Sequence, residues 1–127
     1  MRKIGLWSGA LITGVLLTAL TFAAGGEKPK YTIEEIMKNA HSGKNKLYMK
    51  LQQGTANDEE KSKLIDYYEE LGKNKPPKGE AGDWEKRTSA LLTAAKAAAN
   101  GGAAERAAYK KAVNCTACHN AHKASED

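Results

Sequence analysis

The chain has 127 residues, a length suited to one domain, with 41% hydrophobic and 28% charged residues and a formal net charge of +5. The positive charge is mostly lysine spread along the whole sequence. Arg87 and Arg106 are the only arginines beyond the first few residues, and interleaved basic and aromatic residues are absent, which argues against a nucleic-acid partner. No β alternation is visible, and nothing resembles the nucleophile, base and orienter of a hydrolytic enzyme, so no catalytic residue is assigned.

The first 23 residues read as an export segment. Arg2 and Lys3 form a positive start, an apolar run extends to Phe22, and Ala23, Ala24 and Gly25 offer small residues for cleavage. Cleavage at 23, or as late as 25, leaves a single domain over 24–127 and places the protein in the periplasm or another extracytoplasmic compartment. The apolar run approaches the length of about 20 residues that spans a bilayer, so an uncleaved segment would make it a membrane anchor. Removing residues 1–23 leaves 104 residues and takes Arg2 and Lys3 away, lowering the charge from +5 to +3. A domain of that size buries only part of its surface and gains from a large apolar body at its centre.

The first helix starts at Thr32-Ile33-Glu34-Glu35, a capping box, and its apolar stripe runs through Ile33, Ile36, Met37 and Ala40 to Leu47, Tyr48 and Leu51. Ser42-Gly43 kinks or divides it, and Gly54 ends it. Asn57-Asp58-Glu59-Glu60 opens a second helix in the same way, with Leu64, Ile65, Tyr68 and Leu71 on one face and a stop at Gly72. The segment 73–79, Lys-Asn-Lys-Pro-Pro-Lys-Gly, is a surface connection, because its prolines lack amide donors and restrict their predecessors. Asp83 is the expected cap of a third helix carrying Trp84, Thr88, Leu91, Leu92 and Ala95, closed by Gly101-Gly102. A fourth, alanine-rich helix is expected from 103 to about 124, with Ala108, Ala112, Cys115, Cys118 and His119 along its buried side. Four amphipathic helices joined by short connections predict an all-α, antiparallel up-down-up-down four-helix bundle.

The fourth helix contains the motif that organises the rest. Cys115-Thr116-Ala117-Cys118-His119 is the C-x-x-C-H pattern of covalent haem attachment, and it holds the only two cysteines of the chain. Cysteines three apart on a helix project from one face, where both sulfurs can form thioethers along one haem edge. The adjoining His119 is then the proximal iron ligand. The expected cofactor is therefore one covalent haem c per chain, between helices one and four. A dithiol redox site would need a strand before the motif, and a structural zinc site usually draws on two closely spaced ligand pairs, whereas Cys115, Cys118, His122 and His41 supply one. A disulfide across three residues closes a loop too small to stabilise much.

With its tail Asn120-Ala121-His122-Lys123, this motif resembles that of the class II c-type cytochromes, the cytochrome c′ family, which commonly reads C-x-A-C-H followed by an aromatic and a basic residue. Ala117 and Lys123 match, while His122 stands where the aromatic usually is. The stretches 32–41 and 74–79 look like segments of small exported members from planctomycete-type bacteria. The resemblance implies Cys115 and Cys118 as thioethers, His119 as proximal ligand and Lys123 as a basic group near the proximal face. It also implies one-electron transfer with redox partner proteins, or binding of nitric oxide or carbon monoxide at an open distal site. Family members often form homodimers.

The distal side departs from the family, which leaves the position open under an apolar residue or fills it with methionine. Here Met37 and His41 lie one turn apart on helix one, and only one of them can reach the iron. Imidazole is the stronger ligand for ferric iron, so His41 is the first candidate and Met37 the alternative. The bundle topology puts the start of helix one beside the end of helix four, so His119 should face this segment. His122 reads as surface-exposed, with a hydrogen bond to a haem propionate as the alternative, and Tyr67, Tyr68, Tyr109 and Trp84 read as core or as lining a haem edge.

Overall fold

A computed structural model describes residues 28–125. The expected export segment, 1–23, lies outside them. The described chain is helical throughout, and no helix in it is long and apolar enough to cross a membrane.

Helix α1 (Ile33–Ile36) opens on the expected box: Thr32 Oγ1 accepts from Glu35 N, and Glu35 Oε2 accepts from Thr32 N at 2.8 Å. It then widens into a π-helical turn, Met37–His41, in which Met37 O accepts from Ser42 N at 2.9 Å, five residues on. Such turns are inserted where one residue more than an α-helix allows must be accommodated. The division expected at Ser42-Gly43 is present: Ser42 is extended and Gly43 has φ +78°. The chain resumes as α2 (Leu47–Gln53) and stops at Gly54.

Helix α3 (Asp58–Lys73) is capped reciprocally by Asn57 and Glu60, and α4 (Ala81–Asn100) ends at Gly101-Gly102 as the sequence requires. The start of α4 corrects an expectation. Its cap is Glu80, without a side-chain bond, and Asp83 sits inside the first turn with its carboxylate on Arg87 Nε, 2.6 Å away, and on His122. Arg87 and His122 hold that carboxylate in place of the amides of the helix end.

The expected fourth helix is two helices, α5 (Ala103–Ala112) and α6 (Cys115–His122). The chain leaves helical geometry at Val113 and Asn114, and Asn114 Oδ1 re-caps it by accepting from Ala117 N at 3.0 Å. Asparagine competes with the helix in this way because its side chain offers the backbone an alternative acceptor. The break also corrects the expected buried side: Tyr109 and His122 are the buried residues of α5 and α6, and Ala108 is exposed.

The core is built from Ile36, Ala40, Leu51, Leu64, Tyr68, Leu71, Trp84, Ala95 and Tyr109, each at most 5% exposed. Ile65, expected on that face, is half-buried, and Tyr67 takes its place. Helix α4 packs most extensively on α5 and then on α3, while α2 touches α3, α4 and α5. Alanines at 95 and 98 permit the close approach of α4 to its neighbours. The start of α1 is tied to the end of α3 by Glu70, which accepts from the Lys30 amide at 2.6 Å and from Lys73 Nζ at 2.8 Å.

The connection 74–79 is pressed against the end of the chain. Gly79 has φ +87°, and a Cβ there would stand 2.5 Å from Ala121 O and 2.7 Å from His122 Nδ1. Gly43 has a similar φ but no such neighbour, its nearest contact being Lys38 O at 3.5 Å. Gly43→Ala should therefore cost only the backbone strain, about 1 kcal/mol, whereas Gly79→Ala adds overpacking and should cost about 2–4 kcal/mol. Urea denaturation of the two variants measures the difference; equal losses would mean that the α3–α4 connection does not rest on α6.

Candidate functional site

The residues singled out by sequence converge. Met37 and His41 from the π turn, Cys115, Cys118 and His119 from α6 and its cap Asn114 line one cavity of about 270 Å³. Leu71 of α3, Thr88 and Leu91 of α4, and Ala112 and Val113 at the end of α5 complete an apolar wall, with Arg87 and Lys111 as its cations. A second cavity, about 680 Å³, shares Met37, Cys118 and His119 with the first and carries Lys123, Lys75 and Trp84. Cofactor clefts are commonly about 300–1,000 Å³ and mostly apolar with a few convergent polar groups, and these two adjoining spaces have that character.

The break at Val113-Asn114 decides how the motif is presented. Because α6 starts afresh at Cys115, its two cysteines and His119 stand on a short helix separate from the direction of α5. Both thiols are free; Cys115 is exposed and Cys118 half-buried. Burial pushes the Cys118 thiol up, against the pull of Arg87. This is the opposite of the depressed thiol that a dithiol redox site needs. His119 is exposed.

His41 is held by a chain the sequence did not reveal. Its Nε2 lies 3.1 Å from Tyr68 Oη, which lies 2.5 Å from Tyr109 Oη, so three elements meet at two buried hydroxyls. The His41 ring also stacks on Tyr48, centroids 5.0 Å apart at 12°. Burial, and then the nearby charge of His119, lower the His41 pKa to about 4, so its ring is neutral at pH 7 and keeps one nitrogen lone pair. Burial raises both tyrosines well above their usual range, which keeps the hydroxyls protonated. The spacing of Tyr68 and Tyr109 on apolar faces signalled burial, but the pairing of their hydroxyls depends on how α3 meets α5.

His122 is a correction. It is 2% exposed, with Nδ1 3.0 Å from Lys78 O and Nε2 2.8 Å from Asp83 Oδ2, and its ring stands edge-on to Trp84 at 5.3 Å. Both partners are acceptors, so the ring binds them through the N–H it carries. Hydrogen bonding to Arg87, and next to His122, lowers the Asp83 pKa. The histidine that looked like a surface residue is thus the anchor of α6 to the α3–α4 connection, and it is not available to a zinc set with the cysteines.

Each expected site residue therefore has a place. Cys115, Cys118, His119, His41 and Met37 face the first cavity, Lys123 the second, and Cys118, His119 and Met37 both. The donor set fits a covalently held haem: two free thiols, an exposed imidazole one residue on, and an imidazole and a thioether across the cavity. The chain matches no family model, no curated protein and no solved structure.

The depressed His41 pKa has a stability consequence. The unfolded chain, with His41 near its ordinary 6.5, binds more protons than the folded chain between pH 6.5 and about 4. Stability is then full above pH 6.5 and falls as pH drops through that window, by roughly 2–3 kcal/mol at about 1.36 kcal/mol per pH unit. Urea titrations of the haem-free chain at pH 7.5 and 4.5 should show a drop larger by that amount in wild type than in His41→Phe; equal drops would mean that His41 is not buried as a neutral ring.

Proposed function

We propose that this protein is an exported monohaem c-type cytochrome resembling the cytochrome c′ family, which carries electrons one at a time between redox partner proteins. The observation that carries the reading is the shared cavity of Cys115, Cys118, His119, His41 and Met37. In this reading α1 and α2 with their π turn, then α3, α4, and the pair α5 and α6, form the four antiparallel members of an up-down-up-down bundle. The haem lies between the first and the last. Cys115 and Cys118 hold it by thioethers, His119 is the proximal ligand, His41 the distal one with Met37 as the alternative, and Lys123 is a basic group near the proximal face.

Haem c supplies a reversible Fe(III)/Fe(II) couple when bound. The chain's own residues account for the rest. Leu71, Leu91 and Val113 give the cavity an apolar wall. Burial keeps His41 unprotonated and so able to donate a lone pair. Tyr68 fixes the orientation of that ring, and because Tyr109 is its second partner, Tyr68 keeps a hydrogen bond if His41 turns away. The exposure of Cys115 and His119 brings this edge of the site to the surface, as electron exchange between proteins requires. We place the protein in the periplasm or an equivalent compartment as a carrier rather than an enzyme, with a homodimer within the family's habit.

One observation favours a second reading. His41 Nε2, the nitrogen that usually binds iron, is engaged by Tyr68. If it stays engaged and Met37 remains packed against the core, the sixth position is open and the protein binds nitric oxide or carbon monoxide.

Visible spectra of the protein matured with haem, oxidised and dithionite-reduced, with and without carbon monoxide, separate the readings. Sharp low-spin bands indifferent to the gas are expected, and a high-spin spectrum that shifts promptly would transfer the assignment to gas binding. Cys115→Ala with Cys118→Ala should abolish covalent attachment in the pyridine haemochrome assay. His41→Ala should convert low spin to high spin and Met37→Ala should not; the reverse pattern makes Met37 the ligand, and no change in either removes both.

A further inference from the structure

The hydrogens of the chain behind His41 can be matched to acceptors in one way. Tyr68 is 1% exposed and Tyr109 0%, so each hydroxyl must find its partner within the protein. Among the described residues, the hydrogen-bond partner of Tyr109 Oη is Tyr68 Oη, and the partners of Tyr68 Oη are Tyr109 Oη and His41 Nε2. His41 is neutral at pH 7 and has one ring N–H and one lone pair. Both phenolic hydrogens are used when Tyr109 donates to Tyr68 and Tyr68 donates to the lone pair of His41 Nε2, with the ring hydrogen of His41 on Nδ1. Were Nε2 to carry the hydrogen instead, only one phenolic hydrogen could be used, in the bond between the two hydroxyls.

This arrangement opposes the part given to His41. The ring lines the first cavity with Cys115, Cys118 and His119, but one lone pair cannot serve both Tyr68 and a metal. When Nε2 passes to the iron, Tyr68 keeps its bond to Tyr109, yet two buried hydroxyl hydrogens then have a single bond between them. An unmet buried donor of this kind shifts an equilibrium by about 5- to 150-fold. Tyr109 does not add to that bias. Without its hydroxyl, Tyr68 would still donate to Nε2 and would still lose that acceptor on ligation.

We propose that Tyr68 is a positioning residue that holds the Nε2 lone pair of His41 in competition with the haem iron, which makes His41 a releasable sixth ligand; this rests on the haem reading above, with His41 as the distal ligand. An external ligand that displaces His41 returns the ring to a waiting donor. The two phenols of one junction therefore have unequal effects on the iron.

The test uses the full chain matured with haem, oxidised and titrated with cyanide, which competes with a protein side chain for the sixth position of ferric iron. Tyr68→Phe keeps the ring and removes the competing donor, so its cyanide affinity should fall by about tenfold or more. Tyr109→Phe removes a buried hydroxyl from the same junction and should bind cyanide as wild type does. Equal losses in the two variants would mean that the junction acts by packing, and an unchanged or higher affinity in Tyr68→Phe would mean that Tyr68 does not compete for Nε2; either result overturns the proposal and leaves the haem reading intact. If Tyr68→Phe does not fold, 3-fluorotyrosine incorporated throughout the wild-type chain makes the hydroxyls stronger donors and should tighten cyanide binding, and unchanged or weaker binding overturns the proposal equally. A high-spin wild type that turns low-spin in Tyr68→Phe supports it, whereas one that stays high-spin overturns it together with His41 as the ligand. Absence of covalent haem in the haemochrome assay overturns the cytochrome reading itself, an outcome distinct from all of these.

Discussion

The contact between the Tyr68 and Tyr109 hydroxyls fixes the relation of α3 to α5, and through His41 it fixes the π turn as well. Two phenols buried to this degree must find partners, and the partners available are each other and one histidine. Their satisfaction therefore requires all three elements to arrive together. Around that junction the apolar residues only need to fill space, which alanines at 95 and 98 and leucines at 51, 64 and 71 do. The polar chain specifies the arrangement, while burial of the larger apolar area supplies most of the stabilisation.

A second junction lies at the other end of the motif. Helix α6 is only eight residues long and would not persist alone. Asn114 caps one end, and His122 ties the other to Lys78 and to Asp83, which Arg87 also holds. The short helix is thus clamped at both ends while its middle, with Cys118 and His119, faces the two cavities. A site on so short an element depends on such clamps for its geometry, because the element contributes little rigidity of its own.

What was legible in the sequence was local. Thr32 with Glu35, and Asn57 with Glu60, are capping pairs three residues apart, and both form as read. The stops at Gly54 and Gly101-Gly102 and the non-helical prolines of 74–79 follow from residue type alone. What was not legible depended on partners distant in sequence. Asp83 looks like a cap until Arg87 and His122 claim its carboxylate. His122 looks exposed until the α3–α4 connection folds over it. Asn114 was a visible signal for a new helix start, concealed by the helix-favouring alanines on either side. The convergence of Met37 and His41 with the cysteines on one cavity follows the spacing of apolar residues, but the tyrosine chain behind His41 arises only from packing.

The π turn at Met37–His41 holds five residues where an α-helix would close its hydrogen bond after four. In helical terms it is a one-residue insertion, and one residue corresponds to about 100° of rotation at 3.6 residues per turn. The side chain offered to the cavity is therefore set by a phase as much as by a residue identity. Deleting a single neighbour such as Asn39 would rotate the remaining side chains of this segment relative to α6 without altering any of them. In a lineage of such proteins, the group opposite His119 could then change through the length of a helix, with every candidate ligand still present in the sequence.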